Sequence, residues 1–329
     1  MKKFSAYRVQ EDKNGKFVRS IVERKIADLP AGDVLIKIHY AALNYKDALS
    51  FSGNKGVTRK YPHTPGIDGA GTVVDSKTTA FKAGDKVLVT SYDLGMNTDG
   101  AFAEYIRVPA GWVVPLPDGL SLKESMIIGT AGLTAGIGLY KMEKMGQKPE
   151  MGSVVVTGAT GGVGSMAVGL LAKAGYEVIA STGKATNTDY LKSLGATKVV
   201  DRAFVNDDSS RPLMRPNWAG AIDTVGGNTL ATLIKGCKSE GSIAACGLVS
   251  SPVLSTTVFP FILNGVHLLG LDSANFPMQK RKVVWQKLAN EWKLSNLESL
   301  ATNCSLEALD PYIDAMLKGD SKGRVVVEI

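Results

Sequence analysis

Ala159, Gly161 and Gly164 stand at the spacing A-x-G-x-x-G directly after the β-branched run Val154-Val155-Val156-Thr157. Residues this small do one kind of chemistry well: they let backbone N–H groups close on a phosphate. A methyl at 159 permits a sharp turn off a strand. A bare Cα at 161 admits a pyrophosphate, and Gly164 lets the following helix pack on the strand. The phosphates then meet the free amides and the positive dipole end of that helix. The pattern is the dinucleotide-binding one, with alanine for the first glycine. A glycine-rich turn without a ligand is the alternative, and the flanking strand and helix weigh against it.

The next strand end says which dinucleotide. Glu177–Ser181 reads as strand two, and a carboxylate about 20 residues past the glycines would bind the ribose 2′-hydroxyl of NAD. Here the stretch is Ser181-Thr182-Gly183-Lys184. Two hydroxyls, a flexible backbone and a cation suit a phosphate that a carboxylate would repel. The expected coenzyme is NADPH rather than NADH, against an ordinary polar loop with a chance lysine.

These groups need a scaffold. Met166, Ala167, Leu170, Leu171 and Ala174 recur at helical spacing after the glycines. Strand and helix then alternate through Thr188–Leu194 (helix), Lys198–Val200 and Gly220–Val225 (strands), Leu230–Cys237 (helix), and Gly241–Cys246 and Val266–Leu271 (strands). That alternation predicts a doubly wound parallel sheet. Residues 1–125 differ. Short strands at Val34–Tyr40, Gly71–Asp75, Lys86–Thr90 and Ala103–Val108, parted by glycine, proline and aspartate turns, predict a small β-barrel-like domain. Ala41–Gly66 reads as an irregular polar and aromatic stretch, where a rigid scaffold would carry chemistry. Leu122–Tyr140 reads as helix. The tail 277–329 reads as two helical segments and a last strand, Arg324–Ile329.

Composition narrows the class. With 329 residues there is length for two domains. The net charge of +7 is spread along the chain with no basic-aromatic run, so nucleic acid is not an expected partner. No apolar stretch has transmembrane character. Three separated cysteines (Cys237, Cys246, Cys304) and an N-terminus without a signal-peptide core give a cytoplasmic expectation.

The chain resembles the medium-chain dehydrogenase/reductase superfamily over essentially its whole length. Where its zinc-dependent alcohol dehydrogenases have a Gly-His-Glu ligand motif, this chain has Gly66-Ile67-Asp68, and the four-cysteine lobe is missing. No metal is expected. Asn44-Tyr45-Lys46-Asp47 with Pro65-Gly66-Ile67-Asp68 instead resembles the zinc-free quinone- and enoyl-reductase branch. Leu43–Leu49, Ile127–Gly132, Ala221–Gly226 and Ala245–Leu248 together resemble its acryloyl-coenzyme A reductase and quinone oxidoreductase subfamily. The resemblance implies a GroES-like β-barrel catalytic domain from residues 1–125 and 274–329. It implies a Rossmann NADPH-binding domain over 126–273, and a homodimer.

By matching position, the resemblance puts Tyr45 near the nicotinamide and Thr160, Gly161, Gly162 and Val163 on the pyrophosphate. Ser181 closes strand two beside Thr182, Gly183 and Lys184, which would hold the adenosine phosphate; Arg202 is a further contact. Leu248, Ile262 and Ser273 would line the nicotinamide side. Lys184 replaces a common arginine, keeping charge but losing the bidentate fork.

Without a metal, an activated C=C or a quinone is an easier hydride acceptor than an alcohol. Hydride from NADPH would go to the β-carbon of a small 2-enoyl thioester such as acryloyl-CoA. The protein must then align the reactants, stabilise the developing enolate and supply a proton. Tyr45 is the candidate donor, or else a wall beside the nicotinamide, with Asn44 and Asp47 fixing its loop. His39 reads as a packed histidine, His63 as a weaker site candidate, and His267 as structural in a buried strand. A quinone reductase and an NADPH-binding regulator with little turnover are the rival readings.

Overall fold

A computed structural model describes residues 3–329, which form two units. The first comprises residues up to Thr130 together with Ala274–Ala289 and Asn296–Ile329; the second comprises Ala131–Ser273 and Asn290–Ser295.

The first unit is built on Val34–Leu43, whose Val34, Ile36 and Ile38 alternate into the core. This strand pairs antiparallel with Asp68–Ser76, Tyr105–Val108 and Arg324–Glu328. The sheet continues from Asp68–Ser76 to Lys86–Thr90 and Val113–Pro115, and from Arg324–Glu328 to Ala301–Ser305. Gly71 sits where the register shifts, and a Cβ there would lie 1.9 Å from the Lys37 carbonyl oxygen, so only glycine fits. A separate hairpin, Lys3–Glu11 with Phe17–Lys25, turns at Asp12, whose carboxylate accepts from the Asn14 and Lys16 amides. In this unit sequence patterning missed the hairpin, the strands Val113–Pro115 and Ala301–Ser305, and one helix.

That helix, Tyr45–Phe51, corrects the expectation of an irregular stretch. Asn44 is its N-cap, and Asp47 reaches back to accept from the Asn44 amide at 2.8 Å, closing a capping box. Ala48 and Phe51 pack into the core beside Tyr7 and Phe102.

The second unit is a six-stranded parallel sheet in the order Lys198–Val200, Val178–Ser181, Val154–Val156, Trp218–Asp223, Cys237–Ala245, His267–Gly270. Numbered by sequence within the unit, that is 3-2-1-4-5-6, the doubly wound order. Val154–Val156 at its centre are wholly buried, as both faces of a parallel sheet require. Leu122–Lys144 is one helix interrupted at Gly129, whose φ of 50° breaks it in two. Three expectations shift here. Cys237 opens a strand rather than ending a helix, the helix being Gly227–Lys235. Phe259–Asn264 is a short unforeseen helix, with proline in its first turn. His267 is partly exposed on the last strand rather than buried.

Candidate active site

In the second unit the chain leaves Val154–Val156 and turns through Gly158, whose φ of 56° is left-handed. Ala159 is buried, and its amide donates to the Ser181 carbonyl at 3.1 Å, tying the turn to the end of strand two. Gly161 is the N-cap of the helix Gly162–Lys173. A Cβ on Gly164 would lie 2.2 Å from the Gly158 oxygen and 2.7 Å from the Ala159 Cα, so helix and turn touch backbone to backbone. At Gly161 an added Cβ would meet only the Gly158 oxygen, at 3.4 Å. One glycine is required by the fold; the other leaves space that the fold does not fill. This bare helix start, with Thr160, Gly161, Gly162 and Val163, fits the pyrophosphate of a dinucleotide.

Beside it, Thr182 donates its amide to the Val200 carbonyl, and its hydroxyl accepts from the Lys184 amide at 3.1 Å. A Cβ on Gly183 would lie 2.1–2.5 Å from the Arg202 guanidinium, so that group lies across the glycine. Arg202 is exposed and opens a short helix after strand three. The neighbouring Asp201 carboxylate is turned onto its own helix, accepting from the Ala203 amide at 3.0 Å. Ser181, Thr182, Gly183, Lys184 and Arg202 are thus brought together. Leu248 and Ile262, 66% and 68% exposed, lie on separate segments, the loop after Cys237–Ala245 and the helix Phe259–Asn264. Ser273 follows the last strand.

The point where strand order reverses is held by a group that sequence reasoning missed. Thr157 donates to Asp223 at 2.6 Å, and the Asp223 carboxylate also accepts the Val225 and Gly226 amides. Thr224 donates its hydroxyl to the Thr157 carbonyl. Burial pushes Asp223 above the usual carboxylate range against these donors. The Cys246 thiol, raised to about 12 by burial, is held against the Asp223 carbonyl and is no nucleophile near neutral pH.

In the first unit Tyr45 is the first residue of its helix and 49% exposed, while Asn44 and Asp47 are buried beneath it. Asp47 accepts from the amides of Asn44, Gly66 and Ile67 at 2.8–3.0 Å. Burial, then the nearby Asp68 carboxylate, push Asp47 up to about 7 against those three amides. Asn44 donates to Asp68 at 2.8 Å and accepts from Arg324 at 3.1 Å. Arg324, fully buried, donates to the Ile127 and Leu43 carbonyls and faces Asp68 at 3.6 Å. Thr130 donates both its amide and its hydroxyl to Asp68. Gly129 is required here, since a Cβ would lie 2.5 Å from Asp68 and 2.7 Å from Arg324. The roles of Asp68, Thr130 and Arg324 also escaped sequence reasoning. His63 is buried with its ring nitrogen on the Gly95 carbonyl, and His39 meets Thr72.

Among the described residues no three His, Cys, Asp or Glu side chains are grouped as metal ligands, and no helix is long and apolar enough to cross a membrane. Residues 30–118 match the alcohol dehydrogenase GroES-like domain, and 162–290 match the family described as zinc-binding dehydrogenase. The Bacillus subtilis protein named "Putative quinone oxidoreductase YhfP" is 45% identical over 98% of both chains. Its crystal structure with NAD bound covers 100% of both chains at 43% identity, with a TM-score of 0.97. Acrylyl-CoA reductase AcuI of Ruegeria pomeroyi is 42% identical over 99% of both chains. The yhdH oxidoreductase of Salmonella enterica, crystallised in complex with NADP, is 43% identical over 99% of both chains, with a TM-score of 0.95. This chain, an α/β protein with a GroES-like domain and a Rossmann-type parallel sheet, belongs to the medium-chain dehydrogenase/reductase superfamily of oxidoreductases.

Proposed function

We propose that this chain is an NADPH-dependent reductase that passes hydride to the activated C=C of a small 2-enoyl thioester such as acryloyl-CoA. The observation that carries the reading is Arg202 lying across Gly183. It sets a guanidinium on the stretch Ser181-Thr182-Gly183-Lys184 at the end of strand two, where a ribose phosphate would need a cation. The thioester rests on the similarity to AcuI. Thr160, Gly161, Gly162 and Val163 would hold the pyrophosphate, and we assign Tyr45, Leu248, Ile262 and Ser273 to the nicotinamide end. Bound there, the reduced nicotinamide supplies the hydride.

The chain's own groups do the rest. Tyr45 presents a half-exposed phenol from the first turn of its helix and orients the acceptor carbonyl. Asn44 and Asp47 hold that turn through the capping box. In this division of labour residues 126–273 bind coenzyme, and 1–125 with 274–329 bind the acceptor.

A second reading, quinone reduction, is favoured by the similarity to YhfP. Steady-state kinetics with acryloyl-CoA and with a simple quinone, each under NADPH and NADH, decide between them. A kcat/KM for acryloyl-CoA at least tenfold above that for the quinone supports the first reading; the reverse order overturns it. Oxidation of neither would leave an NADPH-binding regulator. Coenzyme choice is tested by titration. Arg202→Ala and Lys184→Ala should each weaken NADPH about tenfold, ~1.4 kcal/mol, and leave NADH unchanged.

We also propose a homodimer. The strand His267–Gly270 ends the sheet with one edge unpaired among the described residues, and Val258, Leu263 and Leu268 nearby in sequence are exposed. Sedimentation equilibrium at micromolar concentration should give twice the chain mass.

A further inference from the structure

The sheet of the second unit reverses its strand order between Val154–Val156 and Trp218–Asp223. In such sheets a dinucleotide lies in the crevice beyond the strand ends at that point. Here the two strand ends are laced together by a closed set of hydrogen bonds. Thr157 donates to Asp223 Oδ1 at 2.6 Å and accepts from the Thr224 amide at 3.0 Å. The Thr224 hydroxyl returns to the Thr157 carbonyl at 2.9 Å. Val225 and Gly226 donate their amides to the two Asp223 oxygens, at 3.2 and 2.9 Å. A Cβ on Gly158 would overlap Thr224 Oγ1, so the lacing touches the glycine turn itself.

The second half of the sheet has a glycine turn of its own, Val225-Gly226-Gly227, leading into the helix Gly227–Lys235. Unlike the space at Gly161, this turn is filled by protein. A Cβ on Gly226 would lie 2.8 Å from both the Gly247 and the Ser251 carbonyl oxygens, and one on Gly247 would overlap the Thr224 carbonyl. The Ser250 amide donates to the Val225 carbonyl and the Cys246 amide to that of Asp223, each at 2.9 Å. This seam fixes the loop after Cys237–Ala245 while Leu248 and Val249 stay exposed on it, an apolar surface of the kind a flat ring covers. With Thr160–Val163 on the pyrophosphate, the nicotinamide end falls to this second half.

Asp223 is wholly buried, yet its partners among the described residues are all neutral donors, and no cation faces it. Two of the three are amides, which can only donate. Together they hold the ionised form against its burial. The crevice thus carries one uncompensated negative charge at the strand end nearest the nicotinamide half.

We propose that the Asp223 carboxylate is a fixed countercharge for the nicotinamide ring, favouring the oxidised, cationic coenzyme over the reduced one. The proposal rests on the coenzyme placement above and is independent of the acceptor. The two forms of the ring differ by one hydride: the hydrogen leaves with its electron pair, the acceptor takes both, and the ring is left with one positive charge. A buried anion attracts that charge as it develops, which eases donation. Asp223 is a positioning residue, acting through the turn it holds and through its field. Holding the turn serves both coenzyme forms equally, whereas the charge distinguishes them.

Calorimetric titration of the full chain with NADP+ and with NADPH tests this. Wild type should hold the oxidised form at least as tightly as the reduced one. Asp223→Asn, which removes the charge, should weaken NADP+ on the order of tenfold more than NADPH. Thr157→Val removes a hydrogen bond and keeps the charge, so it should weaken both forms alike and leave their ratio at the wild-type value. An Asp223→Asn protein with the wild-type ratio overturns the countercharge. So does a wild type that holds NADPH tenfold more tightly than NADP+, a measurement that needs no folded variant. A wild type that binds neither form overturns the coenzyme placement instead.

Discussion

Gly161 and Gly164 are three residues apart in one turn, yet a methyl group at each should do opposite things. At Gly164 the new carbon would sit 2.2 Å from the Gly158 oxygen and 2.7 Å from the Ala159 Cα. That is about 1 Å inside the roughly 3.5 Å at which heavy atoms rest, and the neighbours are backbone. Helix and turn must part, at a cost of about 1–3 kcal/mol or more. At Gly161, φ is −74° and the nearest atom is 3.4 Å away, so alanine fits the free protein. Its methyl would occupy the approach to the helix amides. Gly161→Ala should therefore melt like wild type while binding NADPH at least tenfold more weakly, ~1.4 kcal/mol. Gly164→Ala should lose stability outright. Thermal melts and calorimetric titration of NADPH measure the two separately. A Gly161→Ala protein with undiminished NADPH affinity would refute the placement of the pyrophosphate on this turn.

Other perturbations bear on the first unit. Asn44→Ala removes a helix cap and two hydrogen bonds to buried charges, and should cost about 2 kcal/mol or more by urea unfolding. Asp47 is raised to about 7 in the folded chain from an ordinary 3.8. The folded state then binds the extra proton between those values, and its stability should fall as pH rises from about 4 to about 7. Asp47→Asn should flatten that part of the curve of unfolding free energy against pH; an unchanged slope would assign it to another group. Tyr45→Phe should raise KM for acryloyl-CoA several-fold in steady-state kinetics while leaving kcat within a few-fold of wild type.

Much of the second unit was legible because its signals are local. Val154–Val156 is β-branched and bounded by glycines, and the A-x-G-x-x-G turn names its own backbone. The first unit hides more. Tyr45–Phe51 is two turns long, too short for periodicity to show, although the Asn44-x-x-Asp47 box marks its start. The N-terminal hairpin is signalled only by Asn14-Gly15 and the Asp12 side chain. Least legible is the polar cluster around Asp68. Arg324 meets Leu43 and Asn44 across 281 and 280 residues, and no pattern within a window of sequence couples them. Asp223 stands in a stretch whose likeness to a family is plain, but its work is done through Thr157, 66 residues away.

Arg324 also sets a schedule. A growing polypeptide emerges N-terminus first, so Asp68 is synthesised long before the guanidinium that faces it in the finished protein. Until then a nascent first lobe that buried this carboxylate would lack its countercharge, which favours an open, hydrated form. A severed 1–130 piece should accordingly stay loose on its own. Adding back a peptide carrying the last strand should tighten it, and charge-neutral Arg324→Met in that peptide should abolish the rescue.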